Sequence, residues 1–119
     1  MPSIDPLIYF RDRLSLPLIA APMFLVSGVE LVTAACRNGV IGAFPTVNCR
    51  TTEQLDNWLT GIEGGLQRHE DEQGRRAAPI CPNLIVHRSN ARLASDLNVL
   101  LGFQQSPEVV DFYKHFRGR

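Results

Sequence analysis

The stretch LPLIAAPMFLVSGVELVTAACRNGVIGAFP, residues 16–45, decides the fold class of this chain. It contains two short apolar runs, Leu18–Ala21 and Ile41–Phe44, on either side of a segment whose apolar residues have helical spacing. Uninterrupted apolar runs of this length are typical of strands that are buried on both faces of a parallel sheet. The stretch therefore predicts a β-α-β unit.

The helix of this unit has a predicted start and a predicted end. Ser27 and Glu30 have the S-x-x-E spacing of a capping box, in which the two side chains satisfy free backbone amides at the beginning of a helix. Asn38-Gly39 is a usual helix end, because glycine is favoured just past the last helical residue. The apolar residues between them are Leu31, Val32, Ala35 and Cys36.

The same alternation continues beyond residue 45. Thr51 and Gln54 form a second predicted capping box, and the helix that follows has an apolar stripe on one face. The stripe consists of Leu55, Trp58, Leu59, Ile62 and Leu66. The polar segment His69–Arg76 is predicted to be a solvated loop. A third apolar strand is expected within Pro79–Val86, with Asn83–Val86 as its paired part.

The last third of the chain predicts one more helix and one more strand. Ser89 or Asn90 is expected to cap the helix, because short polar side chains accept hydrogen bonds from the first free amides. Its apolar stripe consists of Leu93, Leu97, Leu100 and Leu101. Pro107–Val110 is predicted to begin a fourth strand, and Asp111–Arg119 to form a divergent charged tail.

The predicted order is therefore β-α-β-α-β-α-β, in a single domain that spans residues 1–119. Short loops between alternating strands and helices imply a parallel sheet with right-handed crossovers. Two α/β architectures fit this order: the N-terminal portion of a TIM (β/α)8 barrel, and a small doubly wound sheet. A whole barrel needs about 250 residues, so a chain of 119 residues would form an incomplete one.

Charge and composition exclude several classes of function. Lys plus Arg and Asp plus Glu each number 12, so the formal net charge is zero and neither nucleic acid nor an anionic membrane is an expected partner. Residues 1–7 do not resemble a signal peptide, and the apolar-rich segment 16–26 is too short to span a bilayer. We therefore expect a cytoplasmic protein. Three cysteines without a C-x-x-C pair predict small buried side chains rather than disulfides.

Ligands of both architectures bind beyond the carboxyl ends of the strands, which directs attention to the loops Pro22–Phe24, Pro45–Arg50 and His87–Asn90. No glycine-rich motif that would hold the phosphates of a nucleotide follows the first strand. His69, His87 and His115 lack the spacing of a helical zinc site, so no metal is expected. Met23, Asn48 and His87 each follow a strand exit, and we predict that all three lie on one rim of the sheet.

The three strand exits carry motifs. Leu18–Met23 reads LIAAPM, Gly42–Thr51 reads GAFPTVNCRT, and Asn83–Asn90 reads NLIVHRSN. These segments, together with Val26–Val32, resemble the first three β/α units of the nitronate monooxygenases, formerly called 2-nitropropane dioxygenases. In that family an aromatic-Pro pair leads to an asparagine near the flavin, as in the second segment here. The resemblance covers roughly residues 16–110.

The resemblance implies an FMN-dependent TIM-barrel monooxygenase that oxidises alkyl nitronates with O2 to a carbonyl compound and nitrite. The flavin carries the redox chemistry, and the protein positions it. By this resemblance Ala21, Pro22 and Met23 line the flavin through backbone contacts, and Asn48 hydrogen-bonds the cofactor. His87 is a candidate catalytic residue.

Each of these residues also has a purely structural interpretation. Met23 could fill a gap in the core, Asn48 could cap the turn before Thr51, and His87 could be a packed or hydrogen-bonded residue at a strand end. Arg50 and Arg88 could approach a phosphate or lie on a solvated face.

The chain departs from the family pattern after Val110. The later strands, which carry the family's catalytic histidine and phosphate-gripping loops, are not among these 119 residues, and a truncation or frameshift would explain the tail. Two alternatives stay open: a noncatalytic remnant or interaction segment that needs a partner, and another flavin or nucleotide barrel, such as a flavin-dependent enoyl reductase or an inosine-monophosphate dehydrogenase relative. The open sheet edges of an incomplete barrel predict self-association.

Overall fold

Three short strands form a parallel sheet in the order β1-β2-β3 in the computed structural model, which describes residues 6–103. The strands are β1 (Ile19–Ala20), β2 (Ile41–Pro45) and β3 (Ile80–Asn83). Ile19 pairs with Ile41, and Pro45 pairs with Asn83. The prediction of parallel strands that are adjacent in chain order is therefore confirmed for these three.

The third strand lies three residues earlier than its predicted paired part, Asn83–Val86. The reason is its neighbour: β2 ends at Pro45 and turns into a short 3-10 helix, Thr46–Asn48. Residues after Asn83 therefore have no adjacent strand to pair with. The predicted fourth strand, Pro107–Val110, and the predicted tail, Asp111–Arg119, lie outside the described residues.

Four helices flank the sheet within the described residues: α1 (Pro6–Arg11), α2 (Val29–Arg37), α3 (Thr52–Gln73) and α4 (Leu93–Gly102). The sequence did not predict α1. None of these helices is long and apolar enough to cross a membrane. The described chain is thus a mixed α/β fold with a small parallel sheet.

The predicted helix caps are partly wrong. The N-cap of α2 is Gly28, which has no side-chain cap, because the Ser27 hydroxyl accepts a hydrogen bond from the Met23 amide at 2.8 Å and donates to the Ala21 carbonyl. The N-cap of α4 is Arg92, also without a side-chain cap. At the end of α2 the prediction is confirmed, since Gly39 has a left-handed φ of 76°.

Helix α3 agrees with its predicted start but not with its predicted end. The Thr51 hydroxyl accepts a hydrogen bond from the Gln54 amide at 3.0 Å. The predicted loop His69–Arg76 is wrong in its first half, because α3 continues to Gln73 and ends at Gly74, whose φ is 68°. The polar side chains of this segment form the solvated face of a helix.

The core lies between the sheet and the two helices α2 and α3. It contains Val32 and Cys36 of α2, Phe44 of β2, and the α3 residues Leu55, Leu59, Ile62 and Leu66. The predicted apolar stripe of α3 is thus confirmed. Trp58 lies at the margin of this stripe and is only partly buried. The centroid of its ring is 5.6 Å from that of Phe44.

The strands differ in how deeply they are buried. In β2 both Ala43 and Phe44, which point to opposite faces, are buried, as predicted. In β1 the prediction is wrong, because Ile19 is 58% exposed. Ile19 pairs with Ile41, whereas Gly42 faces α2. Since alternate residues of a strand face opposite sides, Ile19 lies on the side of the sheet away from α2.

Candidate functional site

Three loops follow the carboxyl ends of the strands, and we call them the carboxyl-edge loops: residues 21–28 after β1, residues 46–51 after β2 and residues 84–92 after β3. Because the strands are parallel, all three loops start from the same edge of the sheet. This edge is where α/β proteins bind their ligands.

The side chain of Asn48 joins the first two carboxyl-edge loops. Its Nδ2 donates to the carbonyl oxygens of Met23 at 3.1 Å and Ser27 at 2.9 Å. Its Oδ1 accepts a hydrogen bond from the Leu25 amide at 2.9 Å. The prediction that Met23 and Asn48 share one edge of the sheet is therefore confirmed, and the cap role considered for Asn48 is taken by Thr51.

These contacts limit what Asn48 can offer to a ligand. An amide side chain has two donor hydrogens and two acceptor lone pairs. Both hydrogens of Asn48 are used on backbone carbonyls, so only the second lone pair of Oδ1 remains. The main action of Asn48 in this structure is to position the loop after β1.

The loop that Asn48 holds has a strained backbone. Leu25 has a φ of 64°, a left-handed conformation that non-glycine residues rarely adopt and that costs of order 1–3 kcal/mol. The turn around it is closed by hydrogen bonds from the amides of Val26 and Ser27 to the Met23 carbonyl. Asn48 offsets the strain by binding the amide of Leu25 itself.

The same loop presents apolar side chains to solvent. Met23 is 44% exposed and Phe24 is 62% exposed, so Met23 does not fill a gap in the core. Leu25 and Val26 are also exposed. Ala21 is exposed and Pro22 is half-buried. The Met23 amide is bonded to the Ser27 hydroxyl, so its backbone has no free donor for a ligand.

Arg92 joins the third carboxyl-edge loop to the second. Its Nη1 donates to the carbonyl oxygen of Cys49 at 2.9 Å, and its Nη2 donates to that of Thr46 at 3.2 Å and to Asp96 at 3.1 Å. Asp96 is 1% exposed and also accepts a hydrogen bond from the Thr52 hydroxyl at 2.7 Å. Arg92 and Asn48 thus tie all three loops into one edge.

Sequence reasoning missed Arg92, Asp96 and Thr52. A signal for Asp96 was present, because it lies three residues after Leu93 and four before Leu100, on the apolar face of the predicted helix. A carboxylate in that position requires a partner. Arg92, four residues before it, has the spacing of a helical ion pair.

His87 lies in the third carboxyl-edge loop and is exposed. Its Nδ1 lies 3.1 Å from the Ser89 amide, which donates to it, and 2.7 Å from the Ser89 hydroxyl. Since Nδ1 accepts, the neutral ring carries its proton on Nε2. This arrangement presents a donor to solvent and does not favour a general base. Asn90, the other predicted cap, instead accepts a hydrogen bond from the Arg92 amide.

The cysteines behave as small apolar residues. Cys36 and Cys49 are buried, and all three thiols are free. Burial raises the pKa of the Cys49 thiol to about 11, although the nearby Arg92 charge opposes this shift. Cys49 therefore stays protonated at neutral pH and is not a nucleophile. Within residues 6–103 no three His, Cys, Asp or Glu side chains gather as a metal site would require.

Replacing Asn48 by aspartate is expected to open the loop after β1. Aspartate keeps the size of asparagine but cannot donate to the carbonyls of Met23 and Ser27, so we expect a loss of about 2 kcal/mol of stability, two neutral hydrogen bonds of about 1 kcal/mol each. Hydrogen exchange at the Val26 and Ser27 amides, which close the turn on the Met23 carbonyl, should become faster. Thr60→Val, which removes a hydroxyl that is bonded to an α3 carbonyl on an exposed face, is the control. Unchanged exchange at these two amides would contradict the role given to Asn48.

Comparison with known proteins found no relative of this chain: it matches no protein-family model, no curated protein and no solved structure.

Proposed function

We propose that this chain forms the first β/α units of an FMN-dependent (β/α)8-barrel oxidoreductase that resembles the nitronate monooxygenases. The observation that carries the proposal is the Asn48 bridge. It joins the exit of β2 to the exit of β1, the two segments on which the resemblance depends. The first two motifs are thereby joined at one edge of a parallel sheet, and Arg92 joins the loop that carries the third motif to the second loop.

The open side of the sheet favours a barrel over a doubly wound fold. In a barrel the strand face away from the helices turns inward and is covered by the other strands. Ile19 lies on that face and is largely exposed. A segment of a barrel would leave this side chain to be covered by further strands.

The residues at the carboxyl edge fit a flavin ring better than a flavin phosphate. The exposed side chains of Met23 and Phe24 offer an apolar surface to a planar ring, and Ala21 and Pro22 lie directly before them. The exposed cations of the edge, Arg50 and Arg88, are the candidates for a phosphate. FMN would supply the redox chemistry with alkyl nitronate and O2 as substrates.

The roles within this proposal differ among the residues. Ala21, Pro22 and Met23 bind the ring, and Asn48 acts as a positioning residue that holds their loop. His87 contributes a hydrogen-bond donor through Nε2, so the proposal assigns no general base to the described residues. The three free thiols agree with a cytoplasmic location.

An FMN titration of the full chain, followed by amide NMR, tests the proposed site. We expect a Kd of about 1 mM, a binding free energy of about −4 kcal/mol, because the described residues form no phosphate-binding loop. Riboflavin should bind about equally well. Amide shifts should be confined to residues 21–28 and 46–51. Phe24→Ser should abolish them, whereas Ile8→Ser, at a similarly exposed apolar residue of α1, should not. Shifts confined to the opposite edge, or none, would contradict the site.

A second candidate function, an interaction segment that needs a partner, is favoured by the same exposed apolar residues. Leu18 and Ile19 of the β1 region and Met23, Phe24 and Leu25 of the following loop are all exposed. Large apolar residues that are exposed together in one segment are typical of interaction sites. A flavin that binds nowhere on the chain, together with tight self-association, would favour this candidate.

We expect the chain to self-associate in a concentration-dependent way. The edge of β1 is unpaired among the described strands, and open edges pair with other chains. With a formal net charge of zero, the copies do not repel each other. Gel filtration should show a larger species whose proportion rises with concentration. Ile19→Lys should restore the monomer, whereas Ile8→Lys should not. A monodisperse monomer that binds FMN at micromolar concentration would overturn this prediction.

A further inference from the structure

A cleft of about 280 Å³ opens at the end of the sheet opposite to the carboxyl-edge loops. Its walls are the last turns of α3, the segment that leads into β3, and Arg13, which precedes β1. Because α3 runs back from the carboxyl edge, its last turns lie at the amino ends of the strands. The cleft is therefore separate from the flavin site proposed above.

Arg13 is the feature of this cleft that requires explanation. Its side chain is 3% exposed. Nη1 donates to the hydroxyl of Tyr9 at 2.7 Å, and the guanidinium carbon lies 4.9 Å from the centre of the Tyr9 ring. Nε is fully buried and has no hydrogen-bond partner. No carboxylate of the described residues lies within ion-pair distance of it. A buried cation in this state is strongly disfavoured unless an anion joins it.

The other charged residues of the cleft indicate which additional charge the bound anion should have. Arg76 is a second, exposed guanidinium on the wall. Glu63 and Glu70 line the same cleft, and one oxygen of Glu70 is fixed by the Ala77 amide at 2.9 Å. Two arginines and two glutamates therefore line one space. A molecule with only negative charge would be repelled by the carboxylates. A molecule with one charge of each sign could pair with the arginines and with the glutamates.

We propose that the cleft binds a small zwitterion of the α-amino-acid class. Its carboxylate pairs with Arg13 and Arg76, and its ammonium group pairs with Glu63 and Glu70. The volume of the cleft is near the lower bound of ligand pockets, roughly 300 Å³. It therefore fits a molecule of few heavy atoms and not a flavin. Guanidinium is suited to this task because it binds a carboxylate through two parallel hydrogen bonds.

The test is a titration of the full chain with L-alanine, acetate, methylamine and inorganic phosphate, each followed by amide NMR. L-Alanine should shift the amides of residues 76–78, and the other three probes should bind at least tenfold more weakly. Arg76→Gln should weaken alanine binding about tenfold. Glu63→Gln should weaken alanine binding but not acetate binding. Both residues lie on exposed parts of the wall, so these variants should keep the fold.

Arg75→Gln is the matched control, because Arg75 is the exposed neighbour of Arg76 and does not line the cleft. It should leave alanine binding unchanged. Acetate or phosphate binding as tightly as alanine would overturn the zwitterion assignment. The absence of shifts at residues 76–78, or equal effects of Arg75→Gln and Arg76→Gln, would overturn the site.

Discussion

Replacing Arg92 by methionine is expected to lower the free energy of unfolding by about 3 kcal/mol, at the lower end of the cost of breaking a buried ion pair. Asp96 is 1% exposed, and without Arg92 its carboxylate keeps only the Thr52 hydroxyl. The carbonyl oxygens of Thr46 and Cys49 lose their donor at the same time. Methionine retains the apolar stem of arginine, so the change removes the charge and its hydrogen bonds rather than volume.

Urea unfolding followed by the fluorescence of Trp58 would measure the effect, because this single tryptophan packs against the core residue Phe44. Arg88→Met is the control: it removes an exposed arginine from the same carboxyl-edge loop and should change stability by less than about 0.5 kcal/mol. The double variant Arg92→Met with Asp96→Leu should recover most of the loss, since replacing both partners leaves no buried charge. Equal stabilities of Arg92→Met and Arg88→Met would refute the role of the pair.

The Arg92 variant should also expose Cys49. This thiol is buried, and it belongs to the loop that Arg92 holds, so it should react slowly with a thiol reagent in the parent chain and faster in Arg92→Met. Cys36, which is buried in the core away from Arg92, serves as the internal reference. A gain in reactivity at Cys49 alone separates local opening of the loop from global unfolding.

Replacing Gly42 by alanine is expected to cost about 3 kcal/mol, at the upper end of what overpacking of a core costs. A Cβ at Gly42 would lie 2.6 Å from the backbone carbonyl oxygen of Val32 and 3.0 Å from the sulfur of Cys36. A backbone oxygen cannot rotate away as a side chain can. Helix α2 would have to move off β2, and the buried contacts between them would loosen together.

Gly64→Ala is the matched control, because it is the same substitution at a glycine whose added Cβ would meet no heavy atom within 4 Å. Gly64 lies inside α3, where alanine is favoured over glycine by about 1 kcal/mol, so this variant should be stabilised. Thermal unfolding of the two variants beside the parent would show opposite shifts in Tm. A Gly42→Ala variant as stable as the parent would mean that α2 does not pack on β2 as described.

The sequence predicted the parts of the fold that depend on local periodicity. The apolar runs around Ile19, Phe44 and Ile80 became three parallel strands in chain order, and the stripe from Leu55 to Leu66 became the buried face of α3. These predictions succeeded because a strand or a helix face needs only a repeated spacing of apolar residues. The strand ends were less predictable, since they depend on where the neighbouring strand stops.

The candidate site was predictable only as a location. A parallel sheet brings its strand exits to one edge whatever the side chains are, so Met23 and Asn48 could be assigned to a common edge from the sequence. The contacts of these two residues could not be predicted. Asn48 donates both amide hydrogens to carbonyl oxygens of the loop after β1. No spacing in the sequence indicates which acceptors lie within reach of a side chain more than 20 residues away.

The order and direction of the strands and the faces that α2 and α3 bury were therefore predictable, since both follow from the spacing of apolar residues along the chain. Only the packing of distant segments shows that Arg92 ties the second and third carboxyl-edge loops together, that Ser27 binds its own loop instead of capping α2, and that Ile19 remains exposed. The physical reason is that hydrogen bonds act over about 3 Å and with fixed direction. Their partners are therefore set only when distant segments have been packed against one another.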